Sequence, residues 1–182
     1  RALLFLLIKW GGVKRKIYSY INKAYCKLNC SRINIETVRF DGYARLKFHH
    51  KSNVEIGDFF RCVSSQDIGL DNNVMSKISV HSGAKLIIGH HSGMTNSTIN
   101  CSESITIGNY VNIGAGCLIV DSDFHSLDWR DRLDGTDIAK KKNSPVVIKD
   151  LAFIGAHCII LKGVTIGENS IIGAGSKKKK NV

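Results

Sequence analysis

Between Val146 and Ser176 the aliphatic residues Ile148, Ile154, Ile160, Ile166 and Ile172 recur six positions apart, and Gly155, Gly167 and Gly173 each follow one of them. A helix needs apolar residues three and four apart, and a half-buried strand needs strict alternation. A period of six satisfies neither. It describes a short flat strand, a turn and a repeat, stacked into an all-β solenoid. The beat can be followed upstream through Val54, Ile56-Gly57, Cys62, Ile68-Gly69, Val74 and Val80, then Ile88-Gly89 and Met94, then Ile107-Gly108, Ile113-Gly114 and Ile119, with slips of one or two residues. Residues 32–53 alternate loosely and read as irregular first strands.

After Ile119 the beat stops until Ile148. The gap opens with Asp121-Ser122-Asp123-Phe124-His125-Ser126, continues through Trp129 and Arg130, and closes with a lysine-rich run before Ser144-Pro145. A long polar excursion from a regular solenoid is usually functional. The loop at about 121–145 reads as the one such insertion in the repeat region, and it is the first place to look for chemistry.

Upstream of the repeats, residues 1–32 form an N-terminal basic, amphipathic helical segment. The apolar run Ala2 to Ile8 is too short to span a bilayer, and it leads into Lys14, Arg15, Lys16, Lys23 and Lys27. Two readings stand side by side: a helix lying on an anionic membrane surface, or a helix packed on the first coil or on a neighbouring subunit. The sequence opens without Met, so a longer gene product with an upstream signal or anchor is compatible with it. Residues 33–182 form the solenoid domain.

Net charge is +11, with lysine and arginine concentrated in residues 9–32, at Lys140 to Lys142 and at Lys177 to Lys180. Such clusters suit an anionic partner or simply a solvated face. The lysines lack interleaved aromatics and no recognition motif is present, so nucleic acid is not an expected partner. None of the six cysteines forms a C-x-x-C pair. Several fall on apolar repeat positions, where a thiol packs as a small hydrophobe, and a reduced, cytoplasmic location follows.

The Ile-Gly repeats, the Asp121 to Ser126 loop, Phe153-Ile154-Gly155-Ala156 and the run Leu161 to Ser176 together resemble the hexapeptide-repeat acyltransferases. The match is closest to the O-acetyltransferases that modify sugars of capsular and lipopolysaccharide glycans. The resemblance implies a left-handed parallel β-helix, a homotrimer with active sites in clefts between subunits, and acetyl-CoA as donor. Handedness comes from the resemblance alone, since parallel crossovers are otherwise right-handed.

In that frame His125 is the candidate general base, because acetyl transfer to a hydroxyl requires the proton to leave as oxygen attacks the thioester. Asp123 is the first candidate to orient it and Asp121 the second, since strand alternation would turn 121, 123 and 125 to one side. The resemblance assigns the pantetheine arm to Ala156 and Ala174 and the donor's phosphate to Lys180, with Lys179 in the preceding position. It places Asn96 at the sugar site, and Trp129 and Arg130 are candidates to stack on and hydrogen-bond a sugar. Phe153 stands where the family has Trp. Lys178 falls on the beat where an aliphatic residue belongs, so the last coil is expected to fray or end differently.

A γ-type carbonic anhydrase would need a histidine where Arg130 stands, and no metal is expected. The implied activity is transfer to a hydroxyl of a surface glycan or its precursor, on the cytoplasmic side and at the inner face of the membrane if the N-terminal segment docks there. The alternatives are N-acetylation of an amino-sugar nucleotide and a non-catalytic β-helix scaffold. Which sugar and which hydroxyl are not encoded in the repeats.

Overall fold

The six-residue beat becomes the sides of a triangular coil. The computed structural model describes residues 2–65 and 75–181, with side chains described from residue 12 onward. Coil 1 contains β1 (Arg32–Ile33), β2 (Arg39–Asp41) and β3 (Arg45–Phe48); coil 2 contains β4 (Asn53–Ile56), β5 (Arg61–Val63) and β6 (Lys77–Val80). Coil 3 contains β7 (Lys85–Ile88), β8 (Gly93–Thr95) and β9 (Thr98–Cys101); coil 4 contains β10 (Ser104–Ile107), β11 (Asn112–Ile113) and β12 (Leu118–Val120). Coils 5 and 6 contain β13 (Val146–Ile148), β14 (Phe153–Ile154), β15 (Ile159–Ile160), β16 (Thr165–Ile166), β17 (Ile171–Ile172) and β18 (Lys177–Lys178).

Each strand pairs in parallel with the strand three places on, giving three six-stranded sheets. The first strands of the coils form sheet A, the second sheet B and the third sheet C. In sheet A, Ile56, Ile88, Ile107, Ile148 and Ile166 lie in one register column, so the beat steps round the three sides and, as from Ile148 to Ile166, its third step returns to the same inward column. Burying these aliphatic ladders drives the fold. Gly155 is required by the stacking itself: a Cβ there would come within 2.6 Å of the Ala174 nitrogen on the next coil.

Two expectations are corrected. Residues 64–76 join β5 to β6, and Leu46 pairs with Ile78, so a second long connection interrupts the repeats within coil 2 and the 121–145 loop is not the only one. Ile68 and Val74 lie outside the described residues; they keep the beat because Cys62 and Val80 are separated by a multiple of six. Nor does the last coil fray before Lys178. Lys177 and Lys178 pair with Ile159 and Ile160, and the Leu161 amide donates to the Lys178 carbonyl. Lys178 is half-buried, so its ammonium still reaches water.

The N-terminal helix α1 (Ala2–Asn29) packs on the first coil. Asn22 and Cys26 are buried, the Asn22 side-chain amide donates to the Gly42 carbonyl, and the Phe48 amide donates to the Tyr25 hydroxyl. No helix among the described residues is long and apolar enough to cross a membrane.

Candidate active site

The inserted loop leaves at the end of β12 and returns at β13, between sheets C and A. Its neck is zipped: Ser122 and Asn143 form an antiparallel bridge, and the Asp123 amide donates to the Lys142 carbonyl. The Ser144 amide donates to the Asp121 carbonyl, and the Gly163 amide on the next coil donates to that of Ser144. Ile119 and Ile160 pair across the insertion as if it were absent.

Inside the loop the chain builds two short helices, α2 (Trp129–Leu133) and α3 (Asp137–Lys140). Asp128 caps α2 by accepting from the Arg130 amide. Asp131 ties the loop together, accepting from Ser126 Oγ at 2.5 Å and from Lys140 Nζ at 2.6 Å. Those two donors hold its carboxyl below the ordinary carboxylate range, the lysine contributing most. Arg132 donates to the Ser126 carbonyl and pins the segment just after His125.

His125 sits on this framework with its side chain 63% exposed, and its Nδ1 lies 2.5 Å from Oδ2 of Asp137, whose side chain is 16% exposed. The carboxylate on His125 is therefore Asp137, and neither Asp123 nor Asp121 is in that position. Asp121 is fully buried and accepts from the backbone amides of Ser102, Glu103 and Ser104 at 2.7–2.8 Å, sealing the turn from β9 to β10. Asp123 faces Lys162 across 3.4 Å, an ion pair without hydrogen-bond geometry. The alternation that grouped residues 121, 123 and 125 fails because β12 ends at Val120 and the chain bends there. The missed residue, Asp137, has one sequence signal: it is an acid in the same insertion, in a stretch that forms a helix.

Asn96 is also misplaced as a sugar contact. It is fully buried with φ +41°, its side-chain amide donates to the Ser65 carbonyl, and its side-chain carbonyl accepts from the Ser65 amide. Both ends of the amide are spent on holding a corner. Trp129 and Arg130 are exposed on α2, the guanidinium lying 5.5 Å from the indole centroid.

Ala156 and Ala174 stack on consecutive coils at the corner between sheets B and C, where the Gly175 amide donates to the Ala156 carbonyl at 2.8 Å. Ala156 is half-buried, and Ala174, Lys179 and Lys180 are exposed. A groove of about 510 Å³ crosses sheet B beside this corner, lined among others by Arg61, Thr95, Gly114 and Phe153. The histidine loop is anchored at the C–A corner, so the structure does not unite His125 with Ala156 through any contact within one chain.

Buried cysteines offer no nucleophile. Burial pushes the Cys62 and Cys101 thiols up to about 12, and it raises Cys117 as well. All six cysteines are free thiols. Among the described residues no three His, Cys, Asp or Glu side chains converge as metal ligands.

The bacterial transferase hexapeptide (six repeats) family model matches residues 145–177, which are coils 5 and 6. The galactoside O-acetyltransferase of Lactococcus lactis is 36% identical over 87 residues, 48% of this chain and 40% of that protein. The chain spans less than half the length of the curated relatives it matches. Among solved structures, AntD, an N-acyltransferase from Bacillus cereus in complex with dTDP and 3-hydroxybutyryl-CoA, aligns with a TM-score of 0.62 at 20% identity, over 88% of this chain and 79% of AntD. A maltose O-acetyltransferase from Clostridium difficile aligns with a TM-score of 0.54 at 18% identity, over 97% of this chain and 79% of that one. At such identities the likeness is one of fold. The repeat model over coils 5 and 6, the three-sheet coil and these relatives show hexapeptide repeats built as a left-handed parallel β-helix, similar to those of the hexapeptide-repeat acyltransferases.

Proposed function

We propose that this chain is an acetyl-CoA-dependent O-acetyltransferase that acts on a sugar hydroxyl of a surface glycan or its precursor, on the cytoplasmic side of the membrane. The observation that carries the reading is the exposed His125 with Asp137 on its Nδ1. With the Nδ1 proton directed at the carboxylate, Nε2 carries the lone pair and is the nitrogen able to take a proton. His125 removes the hydroxyl proton as that oxygen attacks the acetyl thioester; Asp137 stabilises the resulting imidazolium. When the C–S bond breaks, the imidazolium returns the proton to the leaving sulfur, which departs as the CoA thiol. The high thiol pKa values of the buried cysteines favour this direct transfer over an acyl-enzyme.

The residues at the B–C corner fit the donor. The small side chains of Ala156 and Ala174 leave main chain open to an extended pantetheine arm, and exposed Lys179 and Lys180 suit its phosphate. Trp129 and Arg130 are the chain's candidates for the sugar. Because the histidine loop and the alanine strip are anchored at different corners, the complete site is read as a cleft between copies in a homotrimer.

The test is CoA release measured across a panel of hydroxyl and amino sugars. Wild type is expected to turn over with hydroxyl acceptors. His125→Ala is expected to lower kcat by about 10²–10⁴-fold, the ordinary worth of a general base, with an unchanged thermal melt. Asp137→Asn is expected to lower kcat with little change in KM. Turnover confined to amine acceptors would replace the O-acetyl reading by N-acetylation. No CoA release with any acceptor would leave a non-catalytic scaffold.

A further inference from the structure

Helix α1 has two faces in opposite situations. The face carrying Asn22, Tyr25 and Cys26 rests on the first coil. The opposite face carries Val13, Ile17, Tyr20, Ile21 and Leu28, all exposed, Tyr20 at 75% and Leu28 at 84%. Their spacing of threes and fours, with Ala24 between, sets them in one apolar stripe pointing away from the solenoid. A contiguous exposed apolar stripe on a helix that packs by its other face marks an interaction surface.

Charge selects the occupant. Residues 1–29 contain no Asp or Glu, while Lys16 and Lys27 are exposed along the stripe's flank. A second copy of α1 laid on the stripe would bring two acid-free cationic helices face to face. Anionic headgroups would instead neutralise the lysines while the acyl boundary covers the stripe. Tyr20 has the amphipathic ring suited to that boundary. We propose that α1 docks the protein on an anionic lipid bilayer, lying in the interface with Val13, Ile17, Tyr20, Ile21 and Leu28 inserted and Lys16 and Lys27 at headgroup level. The solenoid is then carried on the membrane surface through the opposite face of the same helix.

Flotation of the full chain with vesicles tests this, comparing phosphatidylcholine alone with phosphatidylcholine mixed with phosphatidylglycerol. The chain is expected to float with the mixed vesicles, at least about tenfold better than with phosphatidylcholine, and less well as salt shortens the screening length. The double variant Ile17→Glu/Leu28→Glu is expected to stay in solution, and Lys16→Glu/Lys27→Glu to lose about tenfold in partition, both with the wild-type thermal melt. If the first variant fails to fold, Tyr20→Ser serves as the stripe probe. Three results would overturn the proposal: no flotation on anionic vesicles, flotation indifferent to the stripe or the lysines, or a stripe variant that lowers the particle mass by light scattering in lipid-free buffer. The last would make a second copy the occupant.

Discussion

His125, Asp121 and Asp123 lie within five residues, yet their environments assign them three different tasks. His125 is exposed and held by Asp137; Asp123 is a half-buried partner for Lys162; Asp121 is a sealed acceptor for three backbone amides. Removing the last acceptor leaves those donors unmet where no side chain replaces it. Asp121→Ala is therefore expected to lower unfolding free energy by about 2–3 kcal/mol, less than three fully sealed donors would cost because the turn is only partly buried. Urea denaturation measures this, and the folded fraction should keep its turnover per molecule. A variant with full stability but a kcat at least about tenfold lower would return Asp121 to the catalytic group. The same contrast explains what was legible in the sequence. His125 stands out because it is an imidazole in a polar excursion. Its partner does not, because the pairing of His125 with Asp137 depends on a loop folding back on itself, which no local period encodes. Asn96 misleads for a related reason: an amide in a corner with positive φ is serving the backbone, and this one is buried there with no surface exposed.

The loop between β12 and β13 is an element in its own right, held at its core by one carboxylate. Asp131 receives Ser126 from before α2 and Lys140 from the end of α3, so it clamps the segment that presents both His125 and Asp137. Its carboxyl lies below the ordinary value of 3.8 in the folded loop, with the Lys140 bond the first cause. A depressed carboxylate stabilises the fold above its unfolded value, and that contribution is lost as pH falls through the folded one. Limited proteolysis between residues 121 and 145 is thus expected to be slow at neutral pH and to accelerate below about pH 4, before the solenoid melts. Asp131→Asn is expected to cleave readily already at neutral pH, with turnover reduced and the melt of the coils preserved. Equal protease resistance in variant and wild type would show that the neck alone holds the loop. The insertion's limits were legible because it interrupts a regular beat. Its interior helices were not, being too short to carry a period. The excursion at 64–76 escaped for a different reason: its neighbours re-enter on a multiple of six, so counting by period cannot distinguish a longer connection from further repeats.

At the scale of the whole molecule, a three-sided solenoid sets the histidine loop and the alanine strip at different corners. Stacking alone follows from the beat, and so does the identity of the inward columns; the handedness and the way copies meet do not, since both depend on contacts beyond one repeat. The histidine loop is anchored where sheet C turns into sheet A, and the Ala156–Ala174 strip lies where sheet B turns into sheet C. If the working site joins one copy's loop to another's strip, defects in the two parts belong to different sides of each cleft and can be separated. His125→Ala spoils only the sites its own loop enters, and Ala156→Trp, by filling the donor strip, spoils only the sites its own strip forms. Each variant is inactive alone. Unfolded together in equal amounts and refolded, they form mixed rings in which some clefts receive an intact loop from one copy and an intact strip from its neighbour. Random assembly in a closed ring restores roughly a quarter of the sites, whereas variants refolded separately and then mixed without exchange restore none. Recovery near that fraction requires the shared cleft. Absence of recovery, with size measurements showing that mixed rings did form, would place loop and strip in one chain's own site, and the loop would have to reach across sheet C to meet its donor.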